Sequence, residues 1–221
     1  ISIVWYAIMT NYTSNKGDIM RKGQLFIISG PSGAGKGAIC RELLKDSNIV
    51  FSVSMTTRKP REGEVEGVDY YFVSRQEFDK ALEEDALLEH AINFENCYGT
   101  PKKFVFDAIE EGKDVLLDID IKGAVNVKKT CPKGIFIFIL PPSMTELRKR
   151  ITGRGAESTE AINMRMAQAL KEVSYIDKYD YCVINDQLNE AVNRVKAIMI
   201  AEHSRVSADI YKLIEEYKEE I

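Results

Sequence analysis

Apolar residues in this chain come in short runs, and between the runs the spacing turns helical. "QLFIIS" (residues 24–29) is apolar almost throughout and ends at Gly30, which predicts a buried strand feeding a glycine-rich turn. In "KGAICRELLKD", Ile39, Leu43 and Leu44 share one side of a helix. "DVLLDID" (114–120) and "GIFIFIL" (134–140) predict two more strands covered on both faces, and "YCVIND" (181–186) predicts the last. One helix has Pro101 at its start and Gly112 just past its end, and others open at the capping sequences "SRQE" (74–77) and "SMTE" (143–146). Strands alternating with helices predict an α/β fold, a parallel sheet flanked by helices.

Two stretches break that rhythm. Residues 52–100 are rich in Arg, Gly, Tyr and Glu and are too polar for a sheet core. "GRGAEST" (153–159) is a small polar loop between two helices. Such excursions suit substrate-holding parts and lids. After Glu190 a long helical pattern runs to "IYKLIEEYKEEI", expected to pack or cap the domain. The opening "ISIVWYAIMTNYTSNKGD" is apolar for only about nine residues, without a basic leader or small-residue cleavage site. It reads as an extension ahead of the fold, or as a misassigned start.

Composition narrows the function classes. A chain of 221 residues can bury one domain's core. A net charge of −4 argues against a dedicated nucleic-acid binder. Cys40, Cys97, Cys131 and Cys182 form no C-x-x-C pair, which suits free thiols in a reducing cytoplasm and excludes a zinc or disulfide frame. No apolar run reaches the roughly 18 residues that span a membrane, so a cytoplasmic protein without a membrane partner is expected.

The strand–turn–helix around Gly30 carries the strongest chemistry. "GPSGAGKG" fits G-x-x-x-x-G-K, so Gly30, Pro31, Ser32, Gly33, Ala34, Gly35, Lys36 and Gly37 form a candidate ATP-binding loop. Its glycines let backbone N–H groups face phosphate oxygens, the helix N-terminus adds partial positive charge, and Lys36 reaches the β- and γ-phosphates. The usual Ser or Thr after the lysine, whose hydroxyl sits on Mg²⁺, is missing: Gly37 and then Ala38 follow. A second basic cluster, Arg58, Lys59 and Arg61, lies beside the hydroxyls of Ser54, Thr56 and Thr57. That composition suits a second phosphate, and equally a solvated basic turn.

The segments "ISGPSGAGKG", "FSVSMTTRKPREGEVEGVDYYFV", "CYGTPK", "LLDIDIKGA" and "RGAESTEAINMR" occur in this order. Over residues 23–202 the chain resembles the guanylate kinase family, enzymes that phosphorylate GMP from ATP. The resemblance implies a P-loop NTPase-type core (20–51, 101–152 and 166–221), a GMP-binding subdomain (52–100) and a small lid (153–165), behind an N-terminal extension of residues 1–19. It implies that Ser54, Arg58, Arg61, Tyr70 and Tyr98 grip the GMP phosphate and that Glu89, Thr100 and Asp120 read guanine. Lys36, Arg58, Arg150, Arg154 and Arg165 become the catalytic cations. Mg²⁺ is the implied cofactor, with Asp118 as an outer-shell acceptor. The implied substrates are ATP and GMP, with dGMP beside GMP, on a monomer or homodimer.

The chemistry agrees. Guanine presents two donors, N1–H and the 2-amino group, so carboxylates such as Glu89 and Asp120 suit it. A site built on hydrogen bonds rejects a base that leaves its groups unpaired by about 10⁴-fold. Taken alone, Glu89 in "LLEHAINF" is equally a surface helix carboxylate, and Asp120 a helix N-cap. No general base is needed, because a nucleoside monophosphate with a second pKa of about 6 is mostly dianionic near neutrality. His90 and His203 are therefore poor catalytic candidates. Two other readings stay open: a guanylate-kinase-like peptide-binding module, favoured only by Ala38, and a kinase for another phosphorylated acceptor.

Overall fold

A computed structural model of the chain describes residues 22–93, 95–153, 158–206 and 208–220. In chain order, Leu25–Ser29 is β1, Ile49–Phe51 β2, Asp114–Asp118 β7, Ile135–Leu140 β8 and Tyr181–Ile184 β9. These five strands form one parallel sheet in the order β2-β7-β1-β8-β9. β1 lies at its centre, with Ile27 paired to Leu117 on one side and Phe136 on the other.

The continuous apolar runs are explained by burial on both faces. Phe26 and Ile28 of β1, Leu116 of β7 and Ile137 and Ile139 of β8 point into one core layer. There they meet Ile39 and Leu43 of α1 (Lys36–Leu43) and Ala191, Val195 and Met199 of α7 (Leu188–His203). Leu25, Ile27, Val115, Leu117 and Phe136 point the other way, onto α3 (Lys102–Glu110) and α4 (Ile121–Thr130). Each fully buried Ile, Leu or Phe contributes roughly 1.5–3 kcal/mol. The P-loop therefore hangs from the most deeply buried strand.

The polar stretch from residue 52 differs from its sequence reading, for it builds a sheet of its own. β3 (Met55–Thr56), β4 (Tyr71–Phe72), β5 (Leu87–Asn93) and β6 (Asn96–Pro101) run in the order β4-β3-β6-β5. The helix α2 (Arg75–Glu83), whose N-terminus carries the full capping box of Ser74 and Glu77, covers this sheet. Phe78, Leu87 and Cys97 make its small core, with Met55 and Val73 packed against them. Few apolar residues suffice because two of the strands are only two residues long. Glu89 lies on β5, which corrects the helix reading of its segment.

Leu147 and Ile151 of α5 (Met144–Thr152) pack on Ile162 and Ala169 of α6 (Thr159–Val173). All these elements belong to one compact unit, Lys22–Ser204. The described residues from Arg205 onward belong to a separate unit, of which the helix α8 (Ala208–Glu219) exposes Ile210, Ile214 and Tyr217. The expected extension, residues 1–19, lies outside the described residues. Among the described residues no helix is long and apolar enough to cross a membrane, and the four cysteines are free thiols.

At the N-terminal edge of the main sheet, His203 Nε2 lies 2.8 Å from both carboxylate oxygens of Asp114. Asp114 also accepts from the Gln24 backbone N–H at 3.0 Å, and Tyr181 donates to Glu202 beside it. His203 thus ties the end of α7 to β7 and β1, at the opposite end of the strands from the P-loop.

Candidate active site

β1 ends at Ser29 and the chain curls through three glycines of positive φ, Gly30, Gly33 and Gly35, before α1 begins at Lys36. Lys36 Nζ donates to the carbonyls of Gly30 at 2.7 Å and Pro31 at 3.4 Å, folding its ammonium back over the loop. Two cations from the helices that follow β8 reach the same loop. Arg165 of α6 donates to Ser32 Oγ at 2.8 Å, and Arg150 of α5 approaches the Ala34 carbonyl at 3.5 Å. Arg154 lies outside the described residues.

Asp118 closes β7 beside the loop. A Cβ placed on Gly37 would lie 3.9 Å from its Oδ2, so the carboxylate faces the first turn of α1. Burial pushes the Asp118 carboxyl up from its ordinary range, and the Lys36 charge opposes that shift. A single hard oxygen here fits a hydrated Mg²⁺, which keeps most of its waters and takes few protein ligands. Gly37 and Ala38 offer that ion no hydroxyl.

The second sheet gathers a cluster of charged and aromatic side chains. Arg58 is held by Glu64 Oε1 at 2.8 Å and by the Lys59 carbonyl at 2.7 Å, with its guanidinium 5.4 Å from the centre of the Tyr70 ring. Tyr70 meets Tyr98 edge-on at 6.0 Å. Glu64 also accepts from the Arg61 backbone N–H at 2.7 Å. Arg58, followed by that N–H, holds the Glu64 carboxyl below the usual carboxylate range. Ser54 and the exposed Arg61 flank this cluster. The hydroxyls of Thr56 and Thr57 turn to the backbone of Cys97. Thr56 Oγ1 donates to the Cys97 carbonyl at 3.0 Å and Thr57 Oγ1 accepts from the Cys97 N–H at 2.9 Å, so both shape the turn from β3.

Glu89 and Thr100 are cross-strand partners on β5 and β6, and the Thr100 hydroxyl donates to Glu89 Oε1 at 2.9 Å. Two side chains of α4 bracket Glu89 by hydrogen-bonding its neighbours: Asn126 donates to the His90 carbonyl and Thr130 to that of Leu88, each at 3.1 Å. This seam brings the N-terminus of α4 against the second sheet. Asp120 is the N-cap there, its Oδ1 accepting from the Gly123 N–H at 2.7 Å. A Cβ on Gly123 would sit 3.1 Å from Glu89 Oε2 and 3.4 Å from Asp120 Oδ1. Both carboxylates therefore lie close to Gly123, where a larger residue would crowd Glu89. Burial pushes the Glu89 carboxyl up to about 7, against the hydrogen bond from Thr100 and with the help of the Asp120 charge.

Three residues of this site escaped the sequence reading: Glu64, Gly123 and Asn185. Glu64 is marked only as an acidic residue beside a basic run, and Gly123 as a glycine inside a helix. Asn185, just past β9, is buried and donates to the Ala34 carbonyl at 2.8 Å. A cavity of about 400 Å³ opens beside the loop, lined by Gly33, Gly35, Ala38, Arg150, Asn185 and Leu188. Another of about 350 Å³, between α4 and the turn at Lys178, is lined by Lys128, Phe136 and Tyr179 and holds none of the loop or carboxylate groups.

A phosphate loop on the central strand of a parallel sheet, with a second small sheet that carries its own arginine and tyrosine cluster, defines a P-loop kinase of the nucleoside-monophosphate type. A sequence model of the family "Guanylate kinase" matches residues 22–202. The guanylate kinase of Caldanaerobacter subterraneus subsp. tengcongensis is 53% identical over 201 residues, covering 90% of this chain and 98% of that protein. That of Clostridium tetani is 52% identical over 187 residues, 85% of this chain and 90% of its own. The crystal structure of guanylate kinase from Anaplasma phagocytophilum superposes with a TM-score of 0.74 at 36% identity, over 89% of this chain and 95% of that one. The chain belongs to the guanylate kinase family.

Proposed function

We infer that the protein transfers the terminal phosphoryl group of ATP to GMP, giving ADP and GDP. The observation that carries this reading is the gathering of two carboxylates, Glu89 and Asp120, beside Gly123 at the start of α4. Two neighbouring acceptors match the N1–H and 2-amino donors of guanine, and adenine would leave them unpaired. Thr100, already a donor toward Glu89, completes the base-reading set.

The GMP phosphate is assigned to Arg58, Arg61, Ser54, Tyr70 and Tyr98. Glu64 holds Arg58 ready and yields it to the incoming phosphate. The triphosphate is assigned to the loop from Gly30 to Gly37, with its nucleoside in the adjoining cavity, whose size falls in the range of small-molecule sites. A dianionic GMP oxygen attacks the γ-phosphorus in line while the bond to the β,γ-bridging oxygen breaks, so no proton need be removed first. The obstacle is repulsion between two polyanions, and the chain meets it with positive charge: Lys36 at the loop, Arg58 on the acceptor side, and Arg150 and Arg165 from the helices after β8, with Arg154 assigned to the same task by sequence. When bound, Mg²⁺ neutralises developing charge on the phosphate oxygens, and Asp118 would hold it through water. dGMP is expected to be accepted too, in a protein that acts in the cytoplasm as a monomer or homodimer.

The test is ADP release from Mg·ATP with GMP, AMP, UMP and dTMP offered separately. Turnover with GMP alone is the expected result. Detectable GMP binding without turnover would sink the kinase reading and favour a binding module.

A further inference from the structure

We propose that Asn185 is a positioning residue that aims a P-loop N–H at the phosphates of ATP. Its amide lies outside the loop by sequence yet is buried against it, and Nδ2 donates to the Ala34 carbonyl at 2.8 Å. Asn185 is itself anchored, its backbone N–H donating to the Leu140 carbonyl at 2.8 Å, so β8 and β9 fix where the amide stands. In a trans peptide the carbonyl of one residue and the N–H of the next point in opposite directions. A carbonyl of Ala34 captured by Asn185 therefore turns the Gly35 N–H the other way, the side to which the proposal assigns phosphate.

The local backbone is built around this contact. Gly35 has φ +95°, and a Cβ on it would lie 2.3 Å from Asn185 Nδ2. Glycine at position 35 is thus required twice, for the left-handed conformation and for the approach of the amide. The Ala34 N–H donates to the Pro31 carbonyl at 3.1 Å and the Gly35 carbonyl accepts from the N–H groups of Ala38 and Ile39, each at 3.2 Å. With its neighbours held, the peptide between Ala34 and Gly35 depends on the Asn185 amide for its orientation. Arg150 reaches the same carbonyl only at 3.5 Å.

The inference rests on the loop being the ATP phosphate site. The experiment compares native protein with Asn185→Ala by calorimetry, using Mg·ATP, inorganic tripolyphosphate with Mg²⁺, and GMP. The variant should lose roughly tenfold in affinity for ATP and for tripolyphosphate alike, one oriented hydrogen bond's worth. GMP affinity should stay within about twofold, which also reports a folded variant. Unchanged tripolyphosphate affinity, with or without weaker ATP binding, would overturn the proposal, because Asn185 would then act on the nucleoside or on nothing. Failure of the native protein to bind tripolyphosphate or ATP would instead remove the reading of the loop. Should the variant lose GMP binding as well, the native protein decides: the Gly35 amide proton should move downfield in NMR spectra on adding tripolyphosphate, and an unmoved resonance refutes the idea.

Discussion

Glu89 shows how one buried carboxyl sets stability and specificity against each other. Its folded pKa of about 7 lies above its ordinary 4.5, so the folded state holds the proton more tightly than the unfolded chain. Stability from this group is intact below about 4.5, falls as pH rises through that window and is fully lost above about 7. Glu89→Gln should therefore stabilise the unliganded protein at pH 8 by about 1–3 kcal/mol, read as a higher Tm. The same change should raise KM for GMP, since an amide offers guanine one acceptor where the carboxylate offers two. In the native protein KM for GMP should rise as pH falls from about 8 to 6, because the ionised form that accepts from guanine is depleted. The variant should show a shallower rise, left only with the phosphate's own titration, and identical slopes would count against Glu89 as the base reader. A different single-residue effect belongs to Ala38. Ala38→Thr adds the hydroxyl missing from the loop and should lower the Mg²⁺ concentration giving half-maximal rate. A flat or higher requirement would mean that this position does not bear on the metal.

Among the elements, the turn between β3 and β4 depends on Glu64, which ties the Arg58 side chain to the Arg61 backbone. Glu64→Ala should leave kcat nearly unchanged and raise KM for GMP roughly three- to tenfold, the loss of one preorganised, charge-assisted grip. A fall in kcat at constant KM would place Arg58 in the transition state alone. What the sequence reveals also divides by element. β1, β7 and β8 are legible because burial on both faces leaves them apolar without interruption. The P-loop is legible because its phosphate-facing conformation is written in adjacent glycines. β3 and β4 are not, since two residues show no period and gain their identity only from partners as distant as Tyr98 and Gly99. Asn185 was illegible for the same reason: its partner Ala34 is 151 positions away. Asp120 is ambiguous in sequence between cap and base reader; the structure shows the cap, with its carboxylate near Glu89.

At the scale of the compact unit, stability and chemistry sit at opposite ends of the same strands. The His203–Asp114 pair closes the N-terminal edge, and P-loop, carboxylates and arginines crowd the C-terminal one. His203→Ala should lower stability by about 1–3 kcal/mol by removing a partner of the largely buried Asp114 and leaving it the Gln24 N–H. KM for both nucleotides should stay as in the native protein, and a shift in either would show that the far edge is felt at the site. The second sheet adds an inheritance constraint. Residues 52–101 leave the main sheet after β2 and return at α3 as one uninterrupted length of chain, an insertion that recombination could move whole. Yet the position read by Glu89 inside that length is shared with Asp120 and Gly123, which stay behind on α4. On the proposed assignment, transplanting the insertion alone would carry the phosphate grip without half of its base selectivity, and a change of acceptor would call for changes on both sides of the seam.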